Sequence, residues 1–150
     1  MGVLELTALP SIGKDRRTSW ARDADVLLVD GSDATYRAHW MRTSGLPELL
    51  PSLTDTVWVG VSANRMVLTP RIGSEFVARP DAPDDRTLGL VDFFLFPHLD
   101  VFSTNTMADA EHWATAIGGP AYVIDDQTAV TVDGHAVEVM SKGRWRRLPH

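Results

Sequence analysis

The sequence contains no cysteine. That single absence excludes a disulfide scaffold, thiolate metal sites and every cysteine nucleophile, and it fits a reducing compartment. No apolar run approaches the roughly 18 residues needed to span a bilayer, and residues 1–10 lack the basic start and apolar core of a signal peptide. A cytoplasmic location is therefore expected. A surplus of positive charge is also missing: the formal net charge is −6. Nucleic acid and anionic membrane both reward a basic face, so neither is expected as a partner. The one basic cluster, Lys142, Arg144, Arg146 and Arg147, reads as a solvated end. No two histidines stand at the His-x-x-x-His spacing of a metal site, and no glycine-rich phosphate loop is present. Neither a metal nor another cofactor is expected.

What remains is the profile of one globular domain over residues 1–150, with 44% hydrophobic and 23% charged residues. Residues 3–7 read as a short strand, with a turn at Pro10 and Gly13. A helix from Asp15 to about Ala24 follows. Val26-Leu27-Leu28-Val29, bounded by aspartates, has the continuous apolar character of a buried parallel strand. Asp30-Gly31-Ser32-Asp33 breaks it and begins a helix in which Tyr36, Trp40 and Thr43 fall on one face, with Gly45 as its stop. Residues 57–61 and 91–96 are further strands, and 78–85 an exposed loop. From Thr106 the period becomes helical, with Met107, Ala110, Trp113, Ala114 and Ile117 on one face and a capping box at Thr106 and Asp109. Residues 122–124 are a strand, and Asp133-Gly134 marks a hairpin between 129–132 and 136–139. Alternating strands and helices predict an α/β domain: a mostly parallel sheet, helices on both faces and a C-terminal β-hairpin.

The chemistry concentrates at strand ends. Val57-Trp58-Val59-Gly60-Val61-Ser62-Ala63-Asn64 places a serine where a buried strand runs into a helical turn. A sharp turn there lifts the hydroxyl above the sheet edge and frees backbone N–H groups for an oxyanion. The usual pattern is Gly-x-Ser-x-Gly, and Asn64 stands in place of the second glycine; asparagine tolerates positive φ better than most residues. A base is offered by His98, just past the strand 91–96 and Pro97, at the sheet edge where sites of parallel sheets assemble. His39 and His112 sit within helices, His135 at a hairpin tip and His150 at the end, so none is well placed. Asp125 or Asp126, after the strand 122–124, is available to orient the imidazole. Serine, histidine and aspartate at three strand ends satisfy the logic of a catalytic triad.

Several segments in order then resemble the aspartyl dipeptidase (peptidase E) and cyanophycinase family of serine peptidases. They are Val26-Leu27-Leu28-Val29-Asp30-Gly31-Ser32-Asp33, then His39-Trp40-Met41-Arg42 with Gly45-Leu46, and Val59-Gly60-Val61-Ser62-Ala63. Leu88-Gly89-Leu90-Val91 through Phe96-Pro97-His98, and Ile124-Asp125-Asp126-Gln127-Thr128-Ala129, complete the set. The resemblance implies a class I glutamine amidotransferase-like fold, N-terminally shortened, because Met1 aligns with the interior of the family. It implies Ser62 as nucleophile, His98 as general base and Asp126, ahead of Asp125, as the orienting acid. Gly31, Ser32 and Ala63 would supply the oxyanion hole. The implied reaction is hydrolysis of short peptides, after an N-terminal aspartate, through an acyl-enzyme. Arg42, Arg65 and Arg71 are candidates to meet an aspartyl carboxylate, with surface arginine the competing reading for each. The alternative function is a non-catalytic relative acting as an oligomeric or binding module, in which a homo-oligomer covers apolar surface left open by the missing opening unit.

Overall fold

Two short aliphatic runs anchor the first half of the chain. In the computed structural model, which describes residues 2–3, 5–31 and 33–149, they form strands β1 (Val26–Val29) and β2 (Val57–Gly60). The two pair in parallel, with Val26 opposite Val57 and Val29 opposite Gly60. Parallel pairing demands a crossover, supplied by helix α2 (Ala34–Ser44) and the single turn α3 (Leu46–Leu49); helix α1 (Lys14–Arg22) precedes β1. The second half repeats the device. Strands β3 (Phe94–Phe96) and β4 (Ala121–Ile124) pair in parallel around helix α4 (Met107–Ile117). An antiparallel hairpin of β5 (Thr128–Asp133) and β6 (Ala136–Ser141) follows, and β7 (Trp145–Leu148) returns antiparallel to β4. The α/β class, the parallel pairing and the C-terminal hairpin are as the sequence predicts.

Local signals explain the helix ends. Asp33 caps α2 by accepting the Tyr36 N–H at 2.7 Å, and Thr106 and Asp109 form a reciprocal capping box on α4. Gly45 and Gly118 close α2 and α4 at φ of 71° and 74°, the left-handed region that glycine enters without steric cost.

Two expectations are corrected and two are refined. Residues 3–7 do not form a strand: a 3-10 helix occupies Leu6–Ser11, with Leu6 and Leu9 packed inward, and Leu4 lies outside the described residues. On α2 the buried residues include Ala34, Ala38 and Met41. Of the face holding Tyr36, Trp40 and Thr43, Trp40 packs partly buried against the core with its ring edge-to-face to Tyr36, while Tyr36 and Thr43 are exposed. Strand β3 is half the predicted length, since residues 91–93 form a bend. The basic residues of the C-terminal cluster are exposed, as expected of a solvated end, and the segment contains β7, whose Leu148 is buried while Arg146 reaches Glu111 of α4 at 2.7 Å.

The larger core joins α4 to β3 and β4. Trp113 is its centre, stacking edge-to-face on Phe76 and Phe96 and donating its indole N–H to the Ile72 carbonyl at 2.8 Å. That bond removes the cost of burying the one polar atom of the ring. A second cluster packs Leu6, Leu9, Ala38, Met41 and Val67 beneath α2. The opposite face of β1 and β2 is open: Val26, Leu28, Val57 and Val59 all point to solvent. No helix among the described residues is long and apolar enough to cross a membrane.

Candidate active site

Strand β2 ends at Gly60, and the next residues turn sharply. Val61 remains extended and its N–H continues the ladder to Val29 at 3.0 Å. Ser62 then takes φ 56°, a left-handed conformation rarely adopted by residues with a side chain, and opens a 3-10 turn (Ser62–Arg65). Such a backbone outlier at a strand end is the signature of a nucleophile elbow. Gly60 makes the turn possible. A Cβ at this position would lie 2.3 Å from the Asn64 carbonyl oxygen and 3.2 Å from the Arg65 nitrogen. The first glycine of the motif is thus required by space, not by φ.

Asn64, which stands where the motif has its second glycine, is fully buried. The expected use of its tolerance for positive φ is not realised, because the left-handed residue of the elbow is Ser62 itself. Its side chain instead turns back toward β1, donating from Nδ2 to the Gly31 carbonyl and accepting from Arg37 Nε at 3.2 Å. Arg37 also donates to the Asp30 carbonyl at 2.7 Å. The turn after β1 is therefore clamped to the elbow after β2.

His98 follows β3 through Pro97 and also adopts a left-handed backbone, φ 59°. Its Nδ1 lies 2.7 Å from Asp126 Oδ1, and its ring meets Phe102 edge-to-face at 5.7 Å. Asp126 sits in the turn after β4, adjacent to β3 in the sheet. The loop carrying His98 is held by Asn105, whose Nδ2 donates to the Pro97 carbonyl at 3.0 Å, and by the Leu99 N–H, which donates to Ile124 at 3.0 Å. No motif pointed to Asn105.

The neighbouring aspartate has a different occupation. Asp125 accepts from the Gln127 N–H at 3.0 Å, the Thr128 hydroxyl at 2.7 Å and the Arg144 N–H at 2.5 Å. Its limited burial acts to raise the carboxyl pKa, but these donors outweigh it and hold the pKa below the usual carboxylate range. Asp125 ties the β4–β5 turn to β7 and faces away from His98.

Of the remaining candidates, the Ala63 N–H meets no acceptor among the described residues. The Gly31 N–H is engaged with the Asp30 carboxylate at 2.7 Å, so as it stands that donor does not face a substrate. Ser32 lies outside the described residues, as does His150. Among the described residues no hydrogen bond joins Ser62 Oγ to His98. None of the three arginines is idle: Arg42 donates to the Thr87 carbonyl, Arg71 pairs with Asp85 at 2.9 Å and Arg65 with Asp126 at 3.2 Å. Among the described residues no group of three or more histidines and carboxylates is placed to hold a metal ion. A cleft of about 280 Å³ between Phe76, Phe96, Asn105 and Trp113 includes none of Ser62, His98 and Asp126 in its lining.

Residues 4–140 match the profile of peptidase family S51. The chain belongs to peptidase family S51. Two solved structures share its fold. A candidate peptidase E protein from Listeria monocytogenes EGD-e superposes with a TM-score of 0.70 at 19% identity, over 93% of this chain and 69% of that one. A peptidase from an acI-B1 Actinobacterium superposes with a TM-score of 0.67 at 17% identity, over 90% of this chain and 61% of that one. Among curated proteins none matches significantly. The S51 chain thus spans about two thirds of the length of these structural relatives, and likeness at such low identity establishes the fold.

Proposed function

We propose that this S51 chain is a serine-type peptidase that cleaves short peptides through an acyl-enzyme, with Ser62 as nucleophile, His98 as general base and Asp126 as its orienting acid. The observation that carries the reading is the 2.7 Å contact between His98 Nδ1 and Asp126 Oδ1, joined by the Arg65–Asp126 pair at 3.2 Å to the turn that opens with Ser62 in left-handed conformation. A carboxylate on Nδ1 fixes the tautomer with Nδ1 protonated and leaves the Nε2 lone pair to take the serine proton. Ser62 Oγ then attacks the scissile carbonyl, and its proton passes to Nε2. His98 returns that proton to the leaving amine, and water repeats the cycle to release the acyl group. The unengaged Ala63 N–H is the donor best suited to the oxyanion. Its second donor would be Gly31, once released from Asp30, or Ser32. The Ser62–His98 hydrogen bond belongs to the substrate complex, since such pairs are often loose in an empty site.

A fluorophosphonate probe tests the reading directly. Folded protein should be labelled at Ser62 and S62A should not; a folded wild-type protein that resists the probe alongside a labelled control serine peptidase refutes it. Peptides with an N-terminal aspartate are the first substrates to try, and hydrolysis compared across other N-terminal residues defines the preference.

One observation favours a second reading, self-association. Val26, Leu28, Val57, Val59 and Val61 form an exposed aliphatic face on the β1–β2 pair, and both faces of a parallel sheet are normally covered. A second copy presenting the same face would cover it. Light scattering at micromolar concentration should then give a dimer or larger species; a monomer that turns over peptide excludes the non-catalytic assembly.

A further inference from the structure

The three residues of the proposed triad come from three separate strand ends, and Asp126 is the least enclosed, with 46% of its side chain exposed. A carboxylate this open is free to rotate away from an imidazole unless something else holds it. Arg65 does so: its Nη1 lies 3.2 Å from Asp126 Oδ1, the oxygen that also receives His98 Nδ1. Arg65 is itself largely covered, with 18% of its side chain exposed, and it ends the turn that Ser62 begins. The elbow therefore reaches across to the third member through a residue three positions after the nucleophile.

We propose that Arg65 is a positioning residue of the site, tying the Asp126 carboxylate to the Ser62 turn and thereby setting the place of His98. The inference rests on the serine peptidase reading above. The guanidinium fixes the carboxylate oxygen against which the imidazole is aligned. A role for Arg65 as the receptor of a substrate carboxylate is disfavoured, because it is already committed to Asp126.

The test is the second-order rate of fluorophosphonate labelling at Ser62 near pH 7, for wild type, R65Q and R65K. The expected result for R65Q is a loss of roughly 10- to 100-fold, the scale of a misplaced catalytic group. R65K, which keeps a cation to hold the carboxylate, should restore labelling to within about threefold of wild type. If circular dichroism shows R65Q unfolded, R65M serves as the uncharged variant. Labelled wild type with R65Q within twofold of it overturns this inference alone. So does R65K as slow as R65Q, which would mark a packing role. An unlabelled wild-type protein sinks the parent reading and this inference together.

Discussion

Replacing Gly60 by alanine is the most incisive perturbation of the elbow. The added methyl carbon would stand 2.3 Å from the Asn64 carbonyl oxygen and 2.9 Å from its carbon, and both are backbone atoms. No rotamer change relieves the overlap; the 62–65 turn must retreat by about 1 Å to reach ordinary van der Waals separation. Overpacking of this kind costs ~1–3 kcal/mol in stability. A 1 Å displacement of a reacting group costs on the order of 10²-fold in rate. G60A should therefore unfold at lower urea concentration and label with fluorophosphonate about a hundredfold more slowly. V57T, on the exposed outer face of the same sheet, should change neither by much. The decisive comparison is rate against stability. If G60A labels at the wild-type rate, the elbow does not depend on this close approach and the geometric account of Ser62 is wrong, whatever happens to the urea midpoint.

Three further substitutions separate the roles assigned to neighbouring residues. D126N should lower the labelling rate by up to ~10⁴-fold with little change in stability, because an amide fails to hold the required tautomer; D125N should do the reverse, weakening the β4–β5 turn and sparing the rate, as read by urea unfolding and labelling side by side. Asp33 accepts three hydrogen bonds, from the Thr35 hydroxyl and the Tyr36 and Ala78 N–H groups. Burial acts to raise its pKa, but these donors together lower it. A depressed folded-state pKa stabilises above the unfolded value of about 4 and is lost as pH falls through the folded value. D33N should therefore be less stable than wild type at pH 7, with the difference shrinking below pH 4 in urea titrations. N64G restores the glycine of the usual motif but removes a buried clamp, so a loss of about 2–4 kcal/mol is expected from an unpaired Gly31 carbonyl and the flexible glycine. Higher stability and faster labelling in N64G would instead mark Asn64 as an obstruction.

The parallel strands were legible because aliphatic runs bounded by aspartate and glycine admit few other readings, and α4 because its period and capping box agree. Of the candidate site residues, each of which lies just past a predicted strand, the structure brings His98 and Asp126 within 2.7 Å, and no hydrogen bond among the described residues joins Ser62 to His98. What failed had no local signal. The buried side of α2 was not singled out because Ala34 and Ala38 are small residues that give no strong local signal, although close packing favours them. Strand β7 was missed because Trp145-Arg146-Arg147-Leu148 alternates weakly and its partner is β4, more than twenty residues earlier. Asn105 is invisible in sequence, since it matters through one polar contact with a distant loop, and Arg65, a candidate there for a substrate carboxylate, pairs with Asp126 instead.

Backbone strain offers an argument independent of any motif. Among the described residues nine have positive φ, and six of them are glycines at turns. The chain thus relieves left-handed geometry with glycine wherever no side chain is needed. The three exceptions are Ser62, His98 and Asp100, all in turns that follow β2 or β3. A left-handed residue with a side chain costs on the order of 1–3 kcal/mol and persists only where its surroundings over-determine it. Here they do: the Asn64–Gly31 clamp secures the first turn, and Asn105 with the Arg144–Asp100 pair secures the second. Glycine at 62 or 98 would remove the strain together with the hydroxyl or the imidazole on which the proposed chemistry rests.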